Sequence, residues 1–90
     1  MMHAHIIANG RVQGVGFRYS AQQYAKEYNL NGWVQNKSDG SVELEVEGSD
    51  SQVHSFMTDL ESGFSPFIRI EDMQIDTQQE EKGYKTFSIR

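Results

Sequence analysis

Gly10-Arg11-Val12-Gln13-Gly14-Val15-Gly16-Phe17-Arg18 is the run on which the reading of this chain turns. Before it, Ala4 to Ala8 form an apolar strand, and from about Phe17 onward apolar residues recur at helical spacing. Three glycines in seven residues let the backbone turn tightly and come close to a ligand. A strand–loop–helix junction of this kind points free amide N–H groups into one concavity, at the positive end of the helix dipole, and that suits an anion. Arg18 adds a planar fork of donors matched to phosphate or carboxylate oxygens. The run is therefore expected to hold a phosphate or an acyl phosphate.

Working outward, the first strand covers about His3 to Val12. The helix that follows carries Phe17, Ala21, Tyr24, Ala25 and Tyr28 on one stripe and ends between Asn29 and Gly32. A second strand holds Trp33 and Val34 and runs to about Lys37, where Ser38-Asp39-Gly40 supplies hairpin turn chemistry. Next, Val42, Leu44 and Val46 alternate with Glu43, Glu45 and Glu47, which predicts a strand with one apolar face and a row of glutamates in solvent. Ser49 and Gln52 have capping-box spacing, ahead of a second helix marked by Val53, Phe56, Met57 and Leu60 and stopped at Gly63. Ile68, Ile70, Met73 and Ile75 suggest a fourth strand, with a parity slip between Ile70 and Met73 that fits a bulge. Glu80 to Gly83 reads as a loop and Tyr84 to Arg90 as a last strand, with Phe87 and Ile89 on one side. The order βαββαβ plus a short C-terminal strand predicts an α+β, ferredoxin-like sandwich: an antiparallel sheet with two helices on one face. Residues 1–90 are expected to form one domain.

Composition narrows the function classes. A hydrophobic share of 37% is enough for a core and excludes a disordered chain. The absence of cysteine excludes disulfides, zinc-thiolate sites and thiol nucleophiles. No N-terminal apolar run is long enough for a signal peptide or a membrane span, so a cytoplasmic protein is expected. The net charge of −5 is uneven: residues 1–40 balance to +2, residues 41–90 to −7. An acidic surface disfavours nucleic acid and anionic membranes, yet the basic excess lies where the anion site is expected, so a small anion can still be drawn in. His3 and His5 alternate on a terminal strand and His54 lies on a helix; without a third ligand they are expected to face solvent and hold no metal. Tyr19, Tyr24, Tyr28, Trp33 and Phe87 mostly fall at core spacing. No Lys-Ser/Thr pair follows the glycines, so the run is not a Walker A loop.

The Gly10–Arg18 run resembles the first signature of the acylphosphatases. Gly32-Trp33-Val34-Gln35-Asn36-Lys37-Ser38-Asp39-Gly40-Ser41-Val42, closing at Gly48, resembles their second, and Tyr84 to Arg90 is similar to their C-terminal strand. The resemblance spans essentially the whole chain, in order and at family spacing. It implies hydrolysis of a carboxyl–phosphate mixed anhydride to carboxylate and inorganic phosphate on a ferredoxin-like sandwich. It also implies that Arg18 binds the phosphate, that Asn36 orients the attacking water, and that the backbone amides of the loop Gln13, Gly14, Val15, Gly16, Phe17 and Arg18 complete the cradle. No metal or organic cofactor is implied. Gly16 and Gln35 depart from the pattern, standing where many relatives carry a bulkier and a basic residue.

This chemistry asks little of acid–base side chains. The carboxylate is already a good leaving group, so positioning and charge stabilisation dominate. Asn36 can accept a hydrogen bond from water but cannot act as a base, and a phosphate oxygen of the substrate can take the proton. The expected partner is a small-molecule acyl phosphate, and the expected state is a monomer. Two other readings share the fold. An RNA-binding module would need exposed aromatics and a basic sheet face, where the third strand offers glutamates. A phosphate-cradling accessory domain of larger carbamoyl-transfer proteins would come with cysteine-rich metal sites that these 90 residues lack.

Overall fold

In the computed structural model, which describes residues 1–90, the chain runs β1 (Met2–Arg11), α1 (Phe17–Glu27), β2 (Asn31–Asn36), β3 (Val42–Gly48), α2 (Asp50–Glu61), β4 (Arg69–Gln78) and β5 (Phe87–Ile89). The strands form one sheet in the order β4-β1-β3-β2-β5. β3 pairs antiparallel with both β1 and β2, and β4 pairs antiparallel with β1. β1 and β2 therefore run the same way with β3 between them, and α1 crosses from one to the other. α2 makes the matching crossover from β3 to β4, giving the two interleaved βαβ units of a ferredoxin-like α+β fold.

One expected feature is corrected. The sheet is mixed: β5 pairs parallel with β2, from Gly32↔Phe87 to Val34↔Ile89. The reason is topological. β4 lies at one edge and points opposite to β2, and β5 lies at the other edge. The connection passes across the sheet at the end where β4 finishes, so β5 starts out along β2.

The core lies between the sheet and the helices. Ala4, Ile6 and Ala8 of β1, Val34 of β2, and Val42, Leu44 and Val46 of β3 are wholly buried. They meet Phe17, Ala21 and Ala25 of α1 and Val53, Phe56 and Leu60 of α2. Burying a large aliphatic or aromatic side chain contributes about 1.5–3 kcal/mol, so this layer supplies the main driving force. At the start of α2, Ser49 Oγ accepts from the Gln52 backbone N–H at 3.3 Å and donates to Gln52 Oε1 at 2.8 Å. The bulge falls at Glu71, which has no partner between the pairs Asn9↔Asp72 and Gly10↔Ile70.

The face of the sheet away from the helices differs from expectation. Glu45 and Glu47 are only 5% and 3% exposed, and His3 only 2%. The segment linking β4 to β5 lies over them. Glu47 accepts the backbone N–H groups of Lys82 at 2.8 Å and Tyr84 at 2.5 Å. Glu45 accepts the Tyr84 hydroxyl and meets Lys82 Nζ at 3.3 Å, while His3 Nε2 stands 3.1 Å from its Oε1. Buried carboxylates persist only when their oxygens are satisfied in this way. Burial alone pushes the Glu45 carboxyl up, but the Tyr84 hydroxyl, His3 and Lys82 more than reverse this and bring it down to about 2. Glu43, less covered, takes His5 Nε2 at 2.6 Å and Gln35 Nε2 at 2.9 Å.

Candidate active site

α1 starts behind Gly16, which serves as its N-cap at φ 79°, ψ 19° with no side-chain capping bond. That left-handed conformation costs a residue with a Cβ, although a Cβ here would meet no atom within 4 Å. Glycine is thus used for backbone shape, not for lack of room. The first turn of α1 also carries no acidic residue. Its opening amides are left without a side-chain acceptor, which is the condition for holding an anion.

A cavity of about 270 Å³ opens at this point. Val12, Gly14 and Gly16 line it from the loop, Phe17, Arg18 and Tyr19 from α1, Asn36 from the end of β2, and Ile89 from β5. Arg18 and Asn36, chosen from sequence on separate segments, meet here. β1 and β2 are not neighbours, since β3 lies between them. They are parallel, however, so their C-terminal ends reach the same end of the sheet. β5 is parallel to β2, and its C-terminal end arrives there too.

Arg18 is exposed, and its Nη1 donates to the Arg90 main-chain oxygen at 3.3 Å. No Asp or Glu side chain lies within ion-pair distance of its guanidinium, which lines the cavity. Of the loop residues named from sequence, Gly14, Gly16 and Phe17 line the cavity, whereas Gln13 and Val15 do not. Val15 packs on the core. Gln13 sends its side-chain amide to the Lys37 and Ser41 carbonyls, both at 2.8 Å, tying the loop to the β2–β3 hairpin beside Asn36. That hairpin is fixed in turn by Asp39 Oδ1, which accepts from the Ser41 N–H at 2.9 Å and the Ser41 hydroxyl at 2.5 Å. The same bonds, hydroxyl first, hold the Asp39 carboxyl below the usual carboxylate range.

Three residues at the site had not been singled out for it. Tyr19, read as one of a mostly core set of aromatics, is 64% exposed on the cavity rim. Its place next to Arg18 in the first helical turn was the available signal. Ile89 and Arg90 enter only because β5 is parallel to β2, which no local pattern records. Among His, Cys, Asp and Glu, no group of three or more stands together as a metal-binding set. The cavity lining contains no carboxylate and no histidine. The arrangement can bind an oxyanion and orient a neutral nucleophile, but it offers no general base.

The acylphosphatase family model matches residues 4–89. The acylphosphatase of Bacillus velezensis is 44% identical over 89 residues, covering 99% of this chain and 98% of the relative. The crystal structure of acylphosphatase from Bacillus subtilis superposes with a TM-score of 0.95 at 41% identity, covering 100% of this chain and 99% of that one. Full-length HypF, in its phosphate- and nucleotide-bound form, matches with a TM-score of 0.87 at 34% identity, over all of this chain but 12% of that one. On these grounds, this chain belongs to the acylphosphatase family.

Proposed function

We propose that this protein hydrolyses acyl phosphates, with Arg18 and the loop amides of Gln13 to Arg18 gripping the phosphoryl group and Asn36 placing the water. The observation that carries the reading is the convergence of a guanidinium that no Asp or Glu neutralises, an uncapped helix start and a carboxamide on one cavity whose lining side chains include no acid or base. Arg18 donates parallel N–H bonds to two phosphoryl oxygens and keeps its charge at any working pH. The amides add fixed donors where charge develops. Asn36 Oδ1 accepts a hydrogen bond from water and turns its lone pair towards phosphorus. The new water-oxygen–phosphorus bond forms as the bond from phosphorus to the acyl oxygen breaks. The carboxylate leaves with that electron pair, and a phosphoryl oxygen takes the water's proton. Tyr19 and Ile89 form the apolar rim against which the acyl body rests.

The same reading makes residues 1–90 one acylphosphatase unit, a cytoplasmic monomer acting on a small molecule without nucleic acid. The net charge of −5 and the family match from residue 4 to residue 89 support it. No helix is long and apolar enough to cross a membrane.

Asn36→Ala tests the assignment. Water placement acts on the chemical step, so kcat falls about 100-fold or more, while KM and inhibition by inorganic phosphate stay near the parent values. Parent turnover in Asn36→Ala would remove Asn36 from the mechanism.

A further inference from the structure

Trp33 is the single tryptophan of the chain and lies on the sheet face away from the helices, outside the cavity lining. Its indole N–H donates to the Tyr84 hydroxyl at 3.0 Å, and Tyr84 donates to Glu45. The guanidinium carbon of Arg90 sits 4.3 Å from the Trp33 ring centroid. The backbone of Arg90 is held on β2 as well, its N–H donating to the Val34 carbonyl at 2.8 Å. Its own main-chain oxygen is the one that accepts from Arg18.

We propose that Trp33 is a positioning residue for the reaction: by stacking under the Arg90 guanidinium it keeps the Arg90 main-chain oxygen where it can orient Arg18. The inference rests on the reading of Arg18 as the phosphate ligand. An exposed arginine in a first helical turn samples many rotamers and loses that freedom when it binds an anion. One N–H bond to a stationary main-chain oxygen removes part of that loss beforehand and leaves the other donors for phosphate. That oxygen helps only while it stays put. β5 has three residues, stands at the sheet edge and pairs with β2 alone. Such an end frays readily unless something beyond the ladder holds it. Phe87 is anchored in the core and by the Gln22 side-chain amide on its carbonyl, 3.2 Å away, and the Trp33–Arg90 stack holds the end beyond it, with Tyr84 and Glu45 fixing the indole from the side.

The test compares inhibition by inorganic phosphate, with KM and kcat, in the parent and in Arg18→Gln, Arg90→Ala, Trp33→Leu and Trp33→Phe. A stack of this kind bounds what its loss can do, so Arg90→Ala and Trp33→Leu are expected to raise the phosphate inhibition constant and KM together by about 2- to 5-fold. kcat changes less than KM. Trp33→Phe keeps a ring face and returns phosphate inhibition towards the parent value, which a role in stability alone would not produce. Arg90→Ala removes an exposed side chain, so it reports even where Trp33→Leu folds poorly. Parent phosphate inhibition in Arg90→Ala and in folded Trp33→Leu overturns the inference while leaving Arg18 in place, provided Arg18→Gln has lost that inhibition. A parent protein that phosphate does not inhibit overturns both.

Discussion

Arg18 and Gly16 line the same cavity and place different demands on it in the proposed mechanism, one for charge geometry and one for backbone shape. Arg18→Lys keeps the charge but loses the fork, so kcat/KM for a simple acyl phosphate is expected to fall about 100-fold or more. Because Arg18 is exposed and outside the core, its urea midpoint should move by no more than about 0.5 kcal/mol equivalent. Near-parent kcat/KM in Arg18→Lys would mean that charge alone suffices. Gly16→Ala meets no steric obstacle, so its cost is the left-handed backbone, about 1–2 kcal/mol of stability by denaturant titration. An unchanged midpoint would show that the loop moves out of that conformation at no cost. At this scale the sequence was legible where chemistry is local. The spacing of glycines before Arg18 and the run ending at Asn36 each carry their own meaning, and the two residues do meet. Gln13 was legible only in part: its backbone position could be read, but not the two long-range carbonyls its side chain reaches.

Strand alternation reports burial only on the side that elements adjacent in sequence cover. Val42, Leu44 and Val46 were legible because the helices packed on them belong to the same repeating pattern. Glu45 and Glu47 were not, because what covers them is a polar segment with no periodicity, some thirty-five residues further on. The Glu71 bulge was legible from the shifted parity of Ile70 and Met73, whereas the direction of β5 leaves no trace in its three residues. The covered glutamates also set a pH dependence. Glu45 is lowered from 4.5 to about 2, so its contribution is fully present above pH 4.5 and is lost as pH falls towards 2. The melting temperature should drop across that window, and Glu45→Gln should flatten the drop while lowering stability at neutral pH. An acid limb as steep in Glu45→Gln as in the parent would assign the effect to other carboxylates. Tyr28, whose hydroxyl donates to Asp59 of α2, is pushed up to about 12, mainly by that bond.

Across the whole molecule, parallel strands with an inserted antiparallel partner explain why a small chain can build a site from distant segments. β1, β2 and β5 end at one end of the sheet and bring the loop, Asn36 and Ile89 to one cavity. The segment over the outer face anchors the approach to β5, so the side of the sheet without helices still takes part in shaping the site. The charge distribution agrees: the acidic excess lies in residues 41–90, and Arg18 stands in the other half. The most direct measurement is a crystal structure with inorganic phosphate bound. The anion should sit against the Arg18 guanidinium within hydrogen-bond distance of the loop amides, with the Asn36 carboxamide facing it across the cavity. Phosphate bound elsewhere, or bound with Arg18 or Asn36 turned out of the cavity, would contradict the mechanism.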